Sequence, residues 1–289
     1  MATARSDMGE GLSDGAHAQE LWMEKMSNED PRKLYWNESY YRYWKSRVDE
    51  AGVGSSKVIE GDANTEGDEV YRDIFSRYGF NPGRVLEVGC AWGRMFPLYL
   101  EHGLKLSAVD ISTAMVEAAR KAWSGREGVE SISESPAESL PFDDGAFDNL
   151  SCIATFDATF QNVALTEFLR VTRPGARIYF TGKHDLYHPE DSAALDAEVG
   201  ARRKNHPNFF TDTGRMLDLL REQGHRIDAL LCFPRRGDFA RASFVTEPPE
   251  FFYEYMVVLT RGECSKPLPG FSSTHSRTFL ETEASRGSR

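Results

Sequence analysis

The strongest constraint on the fold comes from one short run, Val85–Arg94. Its first half is apolar and is typical of a buried strand. Its second half contains three small residues, Gly89, Ala91 and Gly93, which let the backbone lie close to a bulky group. The apolar residues after Gly93 recur with helical spacing. The run therefore predicts a strand that turns sharply into a helix.

A second predicted strand follows that helix and ends in a carboxylate, Asp110. Glu87 and Asp110 are 110 − 87 = 23 positions apart, which is the length of one strand–helix–strand unit. An acid at this place after a glycine turn suits the hydroxyl groups of a ribose. These features predict a nucleoside-containing cofactor at the carboxyl ends of parallel strands.

The turn itself distinguishes between cofactors. A dinucleotide site uses a Gly-x-Gly-x-x-Gly pattern that seats a pyrophosphate on the helix N-terminus. Here Ala91 takes the middle place, and no third glycine follows in register. Glu87 would lie poorly beside phosphates, because both are anionic. It suits a ligand that carries a cation or an amine.

The pattern Glu87-x-Gly89-x-Ala91-x-Gly93 resembles motif I of the class I S-adenosylmethionine (SAM) dependent methyltransferases. Three later segments resemble the next motifs of that family in the same order. They are Asp110–Met115, Leu140–Asp148 and Arg170–Gly175, and the resemblance covers roughly residues 70–260. The chain departs from the family pattern at Ala91, which replaces a glycine, and at Pro136, which stands where an acid commonly contacts adenine.

The resemblance implies a Rossmann-like, doubly wound α/β fold with a seven-stranded sheet. The alternation of predicted strands and helices independently indicates parallel strands joined by right-handed crossovers. The resemblance also implies that the last strand is antiparallel and lies beside the fifth. It implies S-adenosyl-L-methionine as the cofactor.

The resemblance further assigns roles to individual residues. Glu87 is expected near the amino group of the methionine part, and Asp110 is expected to accept hydrogen bonds from the ribose. Ile111 and Met115 would flank the adenine or ribose, with ordinary core packing as the alternative. The remaining expected cofactor contacts are Gly89, Ala91, Gly93, Ala137, Glu138 and Ala154. A surface loop is the alternative for Ala137 and Glu138. We also expect Asp110→Ala to abolish cofactor binding with little loss of fold.

Aromatic residues are concentrated ahead of the predicted cofactor domain, in residues 35–44. On a helix, Trp36, Tyr40, Tyr43 and Trp44 share one face. Such a segment either packs the extension onto the domain or forms a lid over cofactor and acceptor. In the second case its rings would exclude water and favour the sulfonium cation, and Tyr40 would belong to the cofactor site.

Composition and motifs divide the chain into segments. Residues 1–20 are predicted to be a disordered tail, and residues 21–67 a helical lid extension. The SAM-binding methyltransferase domain is predicted over 68–262, with a substrate-side insertion at 182–210. Residues 263–289 are polar and predict a flexible tail.

The net charge is −11 and the isoelectric point is about 5.2, which argues against a nucleic-acid surface and against binding to anionic membranes. The four cysteines include no Cys-x-x-Cys pair, so no zinc site is predicted. No run of about 18 apolar residues and no signal-peptide core occur, so a cytoplasmic enzyme is expected. A homodimer is left open.

Methyl transfer is a direct displacement at carbon, so the protein mainly aligns the reactants and excludes water. A general base helps when the acceptor is a hydroxyl or a protonated amine. Asp157, directly after the fourth strand, is the first candidate, and His184, directly after the fifth, is the second. Asp185, His188 and His206 are further candidates. A weaker hypothesis joins Asp157, His184 and Asp185 around a divalent cation, but their spacing does not establish a metal site, and none is predicted.

The predicted function is therefore SAM-dependent methyl transfer to an oxygen or nitrogen of a small molecule, such as a metabolite, sugar or natural product. Two alternatives are a SAM-fold binding protein without turnover and a nicotinamide-dependent oxidoreductase, which the turn disfavours. Nucleic-acid methylation fits poorly, because no Asn/Asp-Pro-Pro-aromatic run follows the fourth strand.

Overall fold

The computed structural model describes residues 30–41 and 69–287. Within them a single sheet contains nine strands. The strands are β1 Arg84–Val88, β2 Lys105–Asp110, β3 Val129–Glu134, β4 Phe147–Cys152, β5 Thr172–His184, β6 Phe210–Thr211, β7 Arg226–Phe233, β8 Glu254–Thr260 and β9 Ser272–Ser273. The helices are α1 Pro31–Leu34, α2 Glu69–Tyr78, α3 Phe96–Glu101, α4 Thr113–Trp123, α5 Gln161–Val171, α6 Ser192–Arg203, α7 Thr213–Glu222 and α8 Arg277–Gly287. A π-helix, Tyr35–Tyr40, continues α1, and a 3₁₀ turn, Phe156–Ala158, follows β4.

The sheet is parallel through the order β3-β2-β1-β4-β5. Strand β8 then pairs antiparallel with β5 on one side and with β7 on the other. The predicted α/β class, the parallel sheet and the antiparallel strand beside the fifth are confirmed. The predicted count of seven strands is wrong for the described residues, because β6 and β9 add two more. Each has only two residues, too few to show a period in the sequence.

Apolar layers cover both faces of the sheet. Helices α5 and α7 pack on one face, and α2, α3 and α4 pack on the other. Val85 and Leu86 of β1 are both fully buried in opposite layers, as the two-residue period of a strand requires. Charged side chains therefore concentrate at the strand ends, where loops replace the apolar layers.

The segment after β8 is ordered around the sheet. Strand β9 pairs with β6, and β6 pairs with the last two residues of β5, beyond the point where β4 ends. Leu268 and Phe271 are buried, and Arg277 forms an ion pair with Asp185. The predicted flexible tail is therefore wrong for residues 263–287, because isolated apolar residues in a polar segment anchor it.

Several predictions fall on other parts of the chain. The predicted tail over 1–20, most of the extension over 21–67 and the residues Tyr43 and Trp44 lie outside the described residues. Among the helices that are described, none is both long enough and apolar enough to cross a membrane.

Candidate cofactor and acceptor site

The turn after β1 is held in a left-handed backbone conformation at every second residue. The φ angles are +77° at Gly89, +47° at Ala91 and +86° at Gly93. The amides of Gly89 and Cys90 donate to the carbonyl of Val109, at 2.9 and 3.0 Å, which ties the turn to β2. Ala91 holds its conformation without the steric freedom of glycine, which indicates that its surroundings fix the turn.

The two glycines of this turn face the protein's own side chains. A Cβ on Gly89 would lie 2.3 Å from both Oγ1 and Cγ2 of Thr155, and one on Gly93 would lie 2.7 Å from Nε1 of Trp123. These α-carbons therefore lie close to side chains of the protein itself, one of them the bulky Trp123 ring. Their small size lets the turn pack against the residues that follow β4 and against α4.

Glu87 lies at the carboxyl end of β1, with only 3% of its surface exposed. Its Oε2 atom has no hydrogen-bond partner among the described residues. Burial raises the pKa of this carboxyl well above its usual range, and the charge of Asp110 adds to the rise while Arg94 opposes it. A buried carboxylate oxygen without a partner fits a cationic group, because a cation would offset its desolvation.

Asp110, at the end of β2, is oriented by two backbone donors. Its Oδ2 accepts from the amide of Ala91 and its Oδ1 from the amide of Ser112, both at 2.8 Å. Burial raises the pKa of Asp110 to about 6 in spite of these two hydrogen bonds. Each oxygen keeps a further lone pair, so the carboxylate can accept hydroxyl donors in a fixed orientation.

A small apolar cluster lies beside Asp110. Trp92 and Met115 are its buried members, and Ala91, Tyr40 and Tyr41 are among the residues that pack against them. The structure thus brings Met115, Ala91 and Tyr40 together, as predicted, and adds Trp92, which sequence reasoning missed. The signal for Trp92 was its place inside motif I. Ile111 is partly buried next to Asp110.

Ala137 and Glu138 lie in the loop after β3, but neither presents a free group. Ala137 belongs to the apolar layer that contains α5. The Glu138 carboxylate accepts from Nη1 of Arg32 at 2.5 Å and from the amide of Phe160 at 2.6 Å. The predicted adenine contact is therefore not supported for Glu138, whose oxygens hold the N-terminal segment instead.

Residues 30–41, which we call the N-terminal strap, lie against these same loops. Arg32 is 94% buried, bridges Asp30 and Glu138, and stacks over the ring of Phe160 at 4.4 Å. Asn37 accepts from the hydroxyl of Ser112 at 2.7 Å, directly beside Asp110. The strap is thus fixed to the loops after β2, β3 and β4. Its π-helical turn is a feature that occurs often at functional sites.

Charged side chains gather on the other side, at the ends of β4, β5 and β8. Nζ of Lys183 lies 2.7 Å from Oδ2 of Asp157 and 2.8 Å from Oδ1 of Asn208. Glu254 is the direct cross-strand partner of Lys183 in the β5–β8 pair. We call Asp157, Lys183, Asn208 and Glu254 the acceptor-side cluster.

An aromatic group from the strap and one histidine lie next to this cluster. The Tyr35 hydroxyl is 3.0 Å from Nδ1 of His206, and the Trp36 and Tyr40 rings are 4.4 Å apart at near right angles. Burial, followed by the nearby charge of Lys183, lowers the pKa of His206 to about 4. The His206 ring therefore remains neutral at pH 7 and acts as part of the aromatic wall.

His184 does not lie beside Asp157, and its catalytic role stays a prediction. Strand β5 continues to His184, and alternate residues of a strand point to opposite faces. Lys183 therefore faces Asp157, whereas the His184 ring stacks on Phe252 at 3.9 Å and lies 3.0 Å from the Thr213 hydroxyl.

Two of the three further candidates for the general base also lie away from Asp157. Asp185 is engaged by Arg277 at 2.6 Å, and His188 lies beside Phe251. The hypothesis that Asp157, His184 and Asp185 hold a cation is wrong. In the described part of the chain, no three metal-ligating side chains come together. Only His206 among the extra candidates reaches the acceptor side.

Ala154 and Thr155 connect the two halves of the site. Ala154 has a φ of +53°, and its amide donates to the hydroxyl of Thr181 at 2.6 Å. Strained backbone of this kind clusters at functional sites, because the surrounding structure must hold it. The residues after β4 therefore lie between the turn that follows Glu87 and the acceptor-side cluster.

Residues 86–180 match a family model described as a methyltransferase domain. This chain contains a class I SAM-dependent methyltransferase domain. The family's cofactor is S-adenosyl-L-methionine, in agreement with the prediction. The match also disfavours the nicotinamide-dependent alternative.

Two curated relatives align with part of the chain. The malonyl-[acyl-carrier protein] O-methyltransferase of Salmonella typhimurium is 34% identical over 127 residues, 44% of this chain and 48% of its own length. The demethylmenaquinone methyltransferase of Renibacterium salmoninarum is 33% identical over 113 residues, 37% of this chain and 44% of its own length. The chain thus spans less than half the length of these relatives.

A solved methyltransferase structure is similar in fold over a larger part of the chain. Phosphoethanolamine N-methyltransferase 2 of Haemonchus contortus superimposes with a TM-score of 0.59 at 13% identity, over 80% of this chain and 60% of that one. Identity at this level supports the methyltransferase fold and does not extend to the acceptor.

Proposed function

We propose that this methyltransferase domain transfers the methyl group of SAM to an oxygen or nitrogen of a small molecule. The observation that carries the proposal is the buried Oε2 atom of Glu87, which has no partner among the described residues and lies at the strand ends beside an oriented Asp110. A cationic amino acid joined to a ribose has both groups that this pair of carboxylates suits.

In this proposal, different residues around the turn bind different parts of the cofactor. Glu87 holds the ammonium group of the methionine part, and Asp110 accepts the ribose hydroxyls. Met115, with Ile111 and Tyr40, flanks the adenine. Gly89, Ala91 and Gly93 shape the turn, and the carbonyl of Ala154 is a second acceptor for the ammonium.

SAM, when bound, supplies a methyl carbon on a positively charged sulfur that is already a good electrophile. The chain's contribution is to align the acceptor and to keep water away. The N-terminal strap supports this role, because Arg32 and Asn37 fix its aromatic rings over the loops that carry the cofactor residues.

A small acceptor fits the acidic chain and the partly covered site. The Salmonella typhimurium relative is an O-methyltransferase and the Haemonchus contortus structural neighbour an N-methyltransferase, so the comparisons favour neither element. Calorimetry of SAM against NAD tests the cofactor. A mass-spectrometric search for products heavier by one CH2 group, over a metabolite library, tests turnover. Binding of SAM without any methylated product would contradict the proposal and would indicate a SAM-binding protein without turnover.

SAM affinity is expected to increase as the pH rises through about 6. The pKa of Asp110 lies at about 6 and that of Glu87 well above its usual range, so both carboxyls bind protons in the free protein at acidic pH. Ionised carboxylates attract the cationic cofactor, so binding releases protons. Glu87→Gln should weaken binding about 10- to 100-fold, the range for a hydrogen bond to a charged group. Calorimetry in buffers of different ionisation enthalpy measures both effects.

The matched control for Glu87→Gln is Glu117→Gln on the exposed face of α4. It removes the same charge without touching the site, so its SAM affinity should equal that of the wild type. Equal affinity of Glu87→Gln and wild-type protein at pH 8 would contradict the assignment of the ammonium contact.

Arg32→Gln is expected to release the N-terminal strap from the domain. The substitution leaves Asp30 and Glu138 without their shared cation, and breaking a buried pair costs about 3–5 kcal/mol. The strap can move away, and Glu138 is then hydrated. The lost ion-pair energy therefore promotes undocking of the strap and not global unfolding. Cleavage by chymotrypsin at the strap aromatics should rise more than about 100-fold, since it follows the open population.

Lys33→Gln is the control for the strap. Lys33 pairs with Glu134 on the surface, where such pairs contribute under about 1 kcal/mol. Its cleavage rate should change less than about tenfold. Equal protection of the Arg32→Gln and wild-type straps would show that other contacts dock the segment.

A further inference from the structure

The acceptor-side cluster contains two carboxylates but only one of them is paired. Lys183 donates to Asp157 and to Asn208, at 2.7 and 2.8 Å, so two of its three protons are already engaged. Asp157, the predicted base, therefore carries a cation on one of its oxygens. That oxygen is therefore engaged in holding Lys183, which suits a positioning role.

Glu254 is the other carboxylate, and it is uncommitted. It stands directly opposite Lys183 across the antiparallel strands β5 and β8, so the two side chains lie on the same face of the sheet. Its carboxylate makes no hydrogen bond or ion pair to any residue in 30–41 or 69–287. It is partly buried at the first residue of β8, where the sheet meets the loops of the site.

The charges that act on Glu254 come from three neighbouring segments. Lys183 lies on β5, Asp157 in the 3₁₀ turn after β4, and Arg236 and Asp238 in the loop after β7. Burial is the largest cause that raises the pKa of Glu254, to about 7, and Asp157 adds to the rise while Lys183 and Arg236 oppose it. A base acts best when its pKa is close to the working pH.

We propose that Glu254 accepts the proton of the acceptor's hydroxyl or amine during methyl transfer, and that Asp157 and Lys183 are positioning residues for it. The inference rests on the proposed function and names the base of that same site. A lone pair of the acceptor oxygen or nitrogen forms the new bond to the methyl carbon. The carbon–sulfur bond breaks with its electron pair left on sulfur, and the proton of the acceptor moves to Glu254.

This assignment restricts the acceptor class. An acceptor with an O–H or N–H group has a proton to give, whereas a thioether or a tertiary amine has none and gains nothing from a base. The neutral His206 ring and the strap aromatics border the cluster and suit an acceptor with an apolar body. Hydroxyl compounds and primary or secondary amines are therefore the acceptors we expect.

A titration of the full chain tests the base without any acceptor. With carbon-13 in the glutamate side-chain carboxyls, one signal should disappear in Glu254→Gln, and in the wild type it should titrate near pH 7. Asp157→Asn should lower that pKa, because it removes a negative neighbour and frees Lys183, and Lys183→Met should raise it. A signal that titrates at the ordinary value of about 4.3 would overturn the proposal.

A second experiment measures turnover with an acceptor that the mass-spectrometric search has identified. Glu254→Gln should lower kcat/KM by about 100- to 10,000-fold with an O–H or N–H acceptor. In the wild type, kcat/KM should rise up to about pH 7, and this limb should be lost in the variant. Glu222→Gln, on the exposed part of α7, is the charge-matched control and should behave as the wild type.

The outcomes separate this inference from the proposed function. Full activity and an unchanged pH profile in Glu254→Gln overturn the base, while the methyltransferase function stands. A wild-type chain that binds no SAM in calorimetry overturns the proposed function itself. Loss of turnover in Glu254→Gln with unchanged SAM affinity supports both.

Discussion

Asp110→Ala is expected to eliminate SAM binding and also to destabilise the fold. The carboxylate accepts from the partly buried amide of Ala91 and the buried amide of Ser112, and alanine would leave both donors without a partner. Each unsatisfied donor costs about 1–3 kcal/mol, so the free energy of unfolding should fall by about 2–6 kcal/mol. The expectation from sequence that this variant keeps its stability is therefore revised. Urea denaturation and calorimetry with SAM measure the two effects.

Asp110→Asn separates the effects. The amide side chain keeps one acceptor oxygen for one backbone donor, so it should lose less stability than alanine while still weakening SAM binding by removing the charge. Asp110→Ala with wild-type SAM affinity would overturn the ribose assignment. Wild-type stability in the same variant would show that water replaces the carboxylate at the two amides.

Gly89→Ala is expected to unfold the turn on which the cofactor site depends. The residue has a φ of +77°, which costs a side chain about 1–2 kcal/mol, and the new Cβ would lie 2.3 Å from Thr155. Overpacking of this kind adds about 1–3 kcal/mol. The free energy of unfolding should fall by about 2–5 kcal/mol, measured by urea denaturation, and SAM binding should be lost with it.

Two further variants identify the cause. Gly89→Ala combined with Thr155→Gly removes the three atoms nearest to the new Cβ. The double variant should therefore recover the stability lost to overpacking but not the stability lost to backbone strain. Ala91→Gly, at a neighbouring left-handed position of the same turn, should change stability by less than about 1 kcal/mol. A double variant no more stable than Gly89→Ala would show that backbone strain alone accounts for the effect.

The sequence predicted those parts of the fold that leave a periodic or motif signal. Strand β1 and the turn were predicted from one run of apolar and small residues, and Asp110 from the strand that follows. The antiparallel strand beside β5 was predicted from the family resemblance. Strands β6 and β9 left no signal because each is two residues long. The anchoring of residues 263–287 depends on contacts such as Arg277 with Asp185, which no local pattern reveals.

The acceptor side shows where sequence reasoning ended. Both Lys183 and His184 lie at the end of β5, and the choice between them depends on which face of the strand each one occupies. The sequence pattern predicts an insertion that begins at residue 182 and includes both, and histidine is the more usual base of the two. Glu254 was hidden at the start of an apolar strand, and only its register with Lys183 brings it to the site. Register is a property of the assembled sheet.

The pairing of β9 with β6 has a consequence for the order in which a growing chain can mature. Strand β6 begins two residues after Asn208, the residue that holds Lys183, and β6 is flanked on its outer side by Ser272 and Ser273. A nascent polypeptide that still lacks Ser272 and Ser273 can assemble the sheet through β8, together with strand β1 that carries Glu87. Its acceptor wall stays incomplete until translation has passed residue 273, so cofactor affinity should emerge earlier on the ribosome than catalytic competence.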